Sequence, residues 1–556
     1  MTKSTTPFAH FKETPSEALN WRLGLSVAVV GLVGAARGLD EGIISGMINL
    51  PSWKKSYGVH EGSDEEANIV SMVQIGCVLG SLLAFLVVDR WGRLRSMQIS
   101  CAIWLLGNLL WTVSAANIPL IYVGRFISGI GIGAMPVYSP TYLVEIAPKT
   151  IRGAAVLVYS GSVYIGILLG YFTNYGVVRN VAATNMQWRI PLALNFIFAG
   201  LLFIGSFFCV ESPRWLLKKG RTDEGTKALC WLRQMPADHP YLAQELSGVT
   251  DQIHEEREAT AAGFMGAVKS LFCNGSNLFR LGLAIMIQVA GQFSGGGNMT
   301  IYAPRIIAFT LHGAKVETKL LSTAVFGIIK LISSIAAAVF LIDLLGRKRS
   351  VLTGLTMQAI CSIILGVFIK KNVVDKTVTA ANETAGDQAF ARLALAAIYL
   401  SGVAWSLGVN AVQYVYGTEI FGMQCRALAT SVVMAFHFLC QYGASRSFPP
   451  MMVAFNRWAT FVFFFPLVCL LMIILVVVLL PETAGIALED MDELFNGPWY
   501  KMGLTANKRV RALRAQKEEL YAGGEGLNYR GESPQTPSDD GKDLDLAKPQ
   551  TATRTA

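Results

Sequence analysis

Charge is the scarcest feature of this chain. Only 15% of its 556 residues are Asp, Glu, Lys or Arg, against 53% hydrophobic residues and a mean hydropathy of +0.44. That balance excludes a soluble globular protein of this length. The nine cysteines never form a Cys-x-x-Cys pair, and most sit in apolar runs, where a thiol packs as a small hydrophobe. Of six histidines only His437 falls inside a long apolar run, so no His/Cys cluster has metal-ligand spacing, and neither a metal ion nor a cofactor is expected. There is no Gly-x-Ser-x-Gly elbow and no Walker-type phosphate loop. A membrane hydrolase or an ATP-driven pump therefore has no visible engine, and the chain is not expected to be an enzyme. The first twenty residues lack the apolar core and small-residue cleavage site of a secretory signal, so the first helix is expected to serve as an uncleaved signal anchor.

What the chain has instead is apolar blocks of about 20 residues, the length that carries a helix across the hydrocarbon with its backbone bonds satisfied internally. They fall at 23–46, 67–88, 96–115, 119–145, 153–176, 189–210, 278–309, 319–341, 349–369, 390–416, 427–447 and 457–480. The expected fold is an all-α membrane protein of twelve transmembrane helices in two six-helix halves, 23–210 and 278–480. A segment at 1–22, a linker at 211–277 with short amphipathic helices, and a tail at 481–556 lie outside the membrane. From Gly523 the tail is rich in Gly, Ser, Pro and Asp and reads as disordered. The net charge of +9 is a matter of topology: Arg90, Arg93 and Arg95, then Lys149 and Arg152, then Arg347, Lys348 and Arg349 fill alternate short loops, which places those loops and both termini in the cytoplasm. The opposite loop at 60–66 carries Glu61, Asp64, Glu65 and Glu66, and the sequon at Asn382 is an expected glycosylation site on the outer side.

Internal repeats support two related halves. Asp89-Arg-Trp-Gly-Arg returns as Asp343-Leu-Leu-Gly-Arg; the Glu145/Arg152 spacing returns as Glu419/Arg426; Glu211-Ser-Pro is echoed by Pro481-Glu-Thr. This order of matched pairs is that of a parallel-repeat transporter with its solute site near the midplane between halves. Arg93, Arg152, Arg347 and Arg426 are expected to pair with Glu145, Glu211, Glu419 and Glu482 as a cytoplasmic gate, the alternative being topogenic charge alone.

The run Gly124-Arg-Phe-Ile-Ser-Gly through Tyr142, Glu145 and Arg152-Gly153 resembles the signature of the sugar porter family of the major facilitator superfamily. Glu211-Ser-Pro-Arg and Pro481-Glu-Thr-Ala-Gly485 resemble its other hallmarks. The resemblance covers about residues 25–490 and implies the major facilitator fold, secondary transport of a small polar solute, a lipid bilayer as setting, and a monomer. Asp40 and Arg125 match the acid and counter-ion of proton-coupled members, with Glu41 a rival acceptor and a purely structural pair the alternative. Hexose contacts of the family are missing: its helix 5 glutamine aligns with Ile167, its helix 10 tryptophan with Tyr414. Gln288, Gln292, Asn298, Asn410, Tyr414 and His437 are the polar lining positions carried over. Gly295-Gly-Gly297 either interrupts helix 7 or lets helices pack closely.

Lys330, Arg446 and Arg37 are intramembrane cations, and the strings around Lys330 and Arg446 resemble fungal quinate-type permeases. With Asp40 answering Arg125 and Glu41 answering one further cation, two positive charges are left over, and Lys330 and Arg446 are expected to hold a solute carboxylate. The expected function is proton-coupled symport of a sugar, cyclic polyol or sugar acid in the plasma membrane. The alternatives are a metabolite exporter and a non-transporting nutrient sensor.

Overall fold

The computed structural model describes residues 15–510 and 512, apart from 115–116, 260–262, 312, 338–344, 375–383, 423, 485 and 487–490. The sequon at Asn382, the motif acid Asp343 and the tail from residue 513 lie outside the described residues. Among the described residues twelve helical segments of membrane length make up the fold: α1 (Trp21–Met47), α2 (Asp64–Trp91), α3 (Arg93–Thr112), α4 (Ile118–Ile146), α5 (Arg152–Asn180) and α6 (Met186–Ser206) form one half. The second half is α7 (Gly275–Phe293, Gly296–Ile301 and Ala303–Ala308), α8 (Val316–Ala336), α9 (Arg347–Asn372), α10 (Ala385–Trp405, continued to Glu419), α11 (Arg426–Ala454) and α12 (Thr460–Leu479). Among the described residues nine of these are apolar enough to cross a membrane by composition alone, and a bent pair that ends in α7 makes ten. The two ends of the bundle are called terminal, where the chain enters α1 and leaves α12, and distal.

Local sequence explains where the helices start and stop. Asn20 caps α1 by accepting from the amides of Arg22 and Leu23, Ser63 caps α2 ahead of Asp64, Glu65 and Glu66 in its first turn, and Thr384 and Asp387 close a capping box at α10. Such caps satisfy amides that the helix itself leaves open, and acids favour that end of the helix dipole. Several helices begin a few residues before the expected spans, because a capped polar turn precedes the apolar run. Between α2 and α3, Gly92 has φ +94°, and Gly346 before α9 has φ +82°. An added Cβ would stand 2.4 Å from Glu211 at the first and 2.5 Å from Glu482 at the second. Both turns thus require glycine twice over.

The linker between halves folds as short helices at Pro213–Lys218, Thr222–Arg233, Pro240–Ala259 and Gly263–Phe272. Arg233 ties it to the first half, donating to the Ile146 carbonyl at 2.9 Å while pairing with Glu245. A single apolar cluster runs through the distal part of the bundle and includes Ile43, Ile44 and Met47 of α1 with Met299, Ile306 and Phe448 of the second half.

Candidate functional site

A cavity lies between the halves near the middle of the helices, lined by residues of α1, α5, α7, α8, α10 and α11. Breaks in the helices shape it. α7 stops at Phe293 and restarts at Gly296, with Gly295 at φ +96°. A Cβ at Gly296 would stand 2.3 Å from the Trp405 ring, so the glycine run both interrupts the helix and admits the indole. α10 passes through a π-turn at Ser406–Asn410 between Trp405 and Tyr414, a distortion that frees backbone positions beside functional sites.

Lys330 is buried in this cavity. Its ammonium bonds the Thr300 hydroxyl and lies 5.5 Å from the Tyr164 ring, 5.8 Å from Phe326 and 5.6 Å from Trp405, a cation–π setting. Among the described residues it has no carboxylate at ion-pair distance. Arg37 is anchored otherwise: its guanidinium pairs with Glu41 at 3.7 Å, donates to Tyr414 Oη at 3.0 Å, meets His437 Nε2 at 3.0 Å, and covers the Phe438 ring. Glu41 in turn accepts from Gln441 at 2.9 Å. These bonds join α1 of one half to α10 and α11 of the other.

Asp40 and Glu41 are neighbours in sequence but face different surroundings, as successive helical positions must. Glu41 looks into the cavity. Asp40 turns into the first half, where its Oδ2 meets Arg125 Nη2 at 3.4 Å. Both are buried; Arg125 also donates to the Val70 carbonyl and covers the Trp111 ring. Asp40 Oδ1 and Arg125 Nε and Nη1 have no hydrogen-bond partner among the described residues, so this pair is held by one long contact.

The structure brings Gln292, Lys330, Asn410, Tyr414 and His437 together around the cavity, with Ile167 where a glutamine is missing. Gln288 stands behind the wall, bonding His437 Nδ1 and the Gln413 carbonyl. Asn298 is buried but outside the lining. Arg446 corrects an expectation: it lies outside the cavity lining and pairs at 2.7 Å with Asp64, the first residue of α2 at the distal end. The count of cations changes accordingly. Asp64 answers Arg446 and Glu41 answers Arg37, so that of these three cations only Lys330 is left over, instead of two. Sequence reasoning misses Tyr164, Thr300, Trp405, Gln413 and Gln441 as lining residues. Gln441 is within its reach, since it follows His437 by one helical turn on the same face.

At the terminal end the two halves carry the same cluster. Arg93 pairs with Glu145 at 2.8 Å and Arg347 with Glu419 at 2.9 Å. Glu211 accepts from the amides of Arg93 and Leu94, and Glu482 from those of Arg347 and Lys348. Ser212 and Thr483 bond Glu145 and Glu419. Here the expected pairing is corrected. Glu211 and Glu482 hold helix N-terminal amides rather than guanidinium groups, because the glycine turns leave those amides open. Arg152 and Arg426 bond the carbonyls of Ala147 and Phe421. Burial pushes the Glu211 carboxyl above its usual pKa, while the amides of Ser212, Arg93 and Leu94 pull the other way. Each cluster lies within one half, so it fixes helices inside that half.

The chain is similar to known proteins along most of its length. A family model described as sugar (and other) transporter matches residues 26–495. A probable quinate permease of Neosartorya fischeri is 35% identical over 509 residues, covering 90% of this chain and 92% of the relative. A quinate permease of Emericella nidulans is 32% identical, covering 94% and 96%. In fold the chain is similar to the proton:xylose symporter XylE bound to 6-bromo-6-deoxy-D-glucose, with a TM-score of 0.69 and 23% identity over 86% of this chain and 99% of the other. A partially occluded inward open conformation of the E. coli xylose transporter XylE also scores 0.69, at 22% identity, over 84% and 100%.

Proposed function

The chain belongs to the sugar (and other) transporter family, and from that premise we propose that it is a proton-coupled symporter of an anionic cyclic polyol such as quinate. The observation that carries this is Lys330, a buried cation with no carboxylate at ion-pair distance among the described residues, in a cavity rich in hydroxyl-matching groups. A buried ion without a direct partner is costly in such a place, and Glu41 across the cavity is already engaged by Arg37 and Gln441. A solute carboxylate supplies the missing charge, and its bond to an ammonium is of the stronger, charge-assisted kind. Gln292, Asn410 and Gln413 offer amide donors and acceptors to ring hydroxyls, and Trp405 and Tyr164 offer flat apolar faces to the carbon skeleton. The quinate permeases among its relatives support the same solute class.

Coupling to protons rests on Asp40 and Arg125. A single long contact holds the carboxylate charge; a small shift of α4 against α1 removes it, and a proton then neutralises the acid in place of the arginine. Alternation follows when the two orientations differ in affinity for proton and solute. The basic loops after α2, α4 and α8 support a cytoplasmic terminal end, with the plasma membrane as the setting. The test is uptake by purified protein in liposomes with an imposed proton gradient, comparing quinate, its methyl ester and neutral hexoses. Accumulation of the acid in preference to both others is expected; equal uptake of glucose would return the reading to a neutral-sugar carrier.

A further inference from the structure

The distal end of the bundle carries ion pairs of a different kind from the terminal clusters, because these join one half to the other. Arg305, in the last segment of α7, pairs with Glu66 in the first turn of α2 and lies 3.3 Å from Glu61. Only 8% of the Arg305 side chain and 2% of the Glu66 side chain are exposed. Glu66 is pre-oriented: its second oxygen accepts from the Gly62 amide at 2.7 Å. Just inside this pair the halves are also bonded through the Thr300 carbonyl, which accepts from Tyr171 at 2.7 Å and from Ser45 at 3.4 Å. Two further pairs cross the same seam at the surface, Arg446 with Asp64 and Arg179 with Glu317.

For the cavity to open distally, α2 and α7 must part, and every one of these contacts must break. Those at the surface exchange protein for water at small cost. Arg305 and Glu66 do not, since each is buried and separating them strands two charges before water arrives. We propose that Arg305 and Glu66, with Glu61 at the rim, form a clasp that holds the distal end shut and sets how often the cavity opens on that side. The clasp rests on the alternating-access reading, but on no particular solute and not on proton coupling. The structure gives it a place opposite the one expected from sequence, where the repeated acidic and basic motifs point to the terminal end.

The test measures distance rather than transport, so that its failure stands apart from any failure of the solute reading. Spin labels at Lys55→Cys and Lys315→Cys, two exposed distal positions in different halves, are followed by pulsed electron resonance in the full chain with reactive native cysteines replaced. Arg305→Ala is expected to raise the ratio of long to short distances on the order of tenfold. Glu66→Gln keeps the shape of the side chain and is expected to move the distribution the same way. A smaller shift is expected for Arg446→Ala, and restoration of short distances for the exchanged pair Arg305→Glu with Glu66→Arg. An unchanged distribution in both Arg305→Ala and Glu66→Gln overturns the clasp, as does an opening in Arg446→Ala as large as theirs.

Discussion

The two halves of this transporter agree at their terminal ends and disagree in the middle. Gly92, Arg93, Glu145, Glu211 and Ser212 of the first half repeat as Gly346, Arg347, Glu419, Glu482 and Thr483 of the second, bond for bond. At the midplane the first half balances its intramembrane charges, Asp40 with Arg125 and Glu41 with Arg37. The second half leaves Lys330 without a carboxylate at ion-pair distance among the described residues, the nearest acid of the cavity wall being Glu41 of the first half, and adds a three-piece α7 and a π-turn in α10. Duplication has been kept where helix ends need the same turn and the same amide acceptor, and lost where chemistry differs. The first half is proposed to handle the proton, and the second the solute.

The largest expected effect separates those two duties. Asp40→Asn should abolish concentration of solute against its gradient and proton co-movement, while leaving exchange at equal concentrations intact, because exchange needs only a loaded carrier that rocks. A liposome assay run in both modes checks this; continued uphill uptake would move the proton to Glu41.

Next comes Lys330→Ala in the other half. It should weaken binding of the acid by the worth of a charge-assisted hydrogen bond, about 1.5–3 kcal/mol or roughly ten- to a hundredfold, and barely alter binding of the methyl ester. Competition binding with both ligands reads the ratio directly, and equal losses would remove Lys330 from carboxylate recognition.

The repeated motif predicts a graded pair. Arg93→Ala strands Glu145 in a site where both side chains are 8% exposed, whereas Arg347→Ala strands Glu419, which is 25% exposed. The first should cost about 1–3 kcal/mol and the second less, because solvent screens the exposed carboxylate. Thermal melts of the two variants in one detergent would show whether the halves are as unequal as their burial. The smallest effect is expected at Arg446→Ala, which should leave the ratio of acid to ester affinity within about twofold. A large change there would return Arg446 to the cavity.

Much of the molecule is legible in the order of its residues. Twelve apolar runs, the Asp-x-x-Gly-Arg repeat and the Glu-x6-Arg spacing point to two homologous halves, and the missing helix 5 glutamine at Ile167 marks a wall of the cavity. The site is harder to read. The order of residues assigns Arg446 to the solute because it lies within an apolar run with no acid close in sequence, and such a run does not report which acid of another helix, here Asp64, reaches it. Trp405 and Tyr164 escape notice because an aromatic residue in an apolar segment has the same pattern whether it packs against lipid, protein or solute.

The number of helices, their pairing into repeats and the basic turns follow from sequence alone, since each depends on residues close together in the chain or on a pattern repeated along it. Which charge answers which is settled only by packing. Asp64 reaches Arg446, Glu66 reaches Arg305, and Glu41 rather than Asp40 faces the cavity. The reason is physical: in a medium that penalises every unpaired ion, the partner is whichever opposite charge the packing brings within a few ångströms, and packing joins residues hundreds of positions apart.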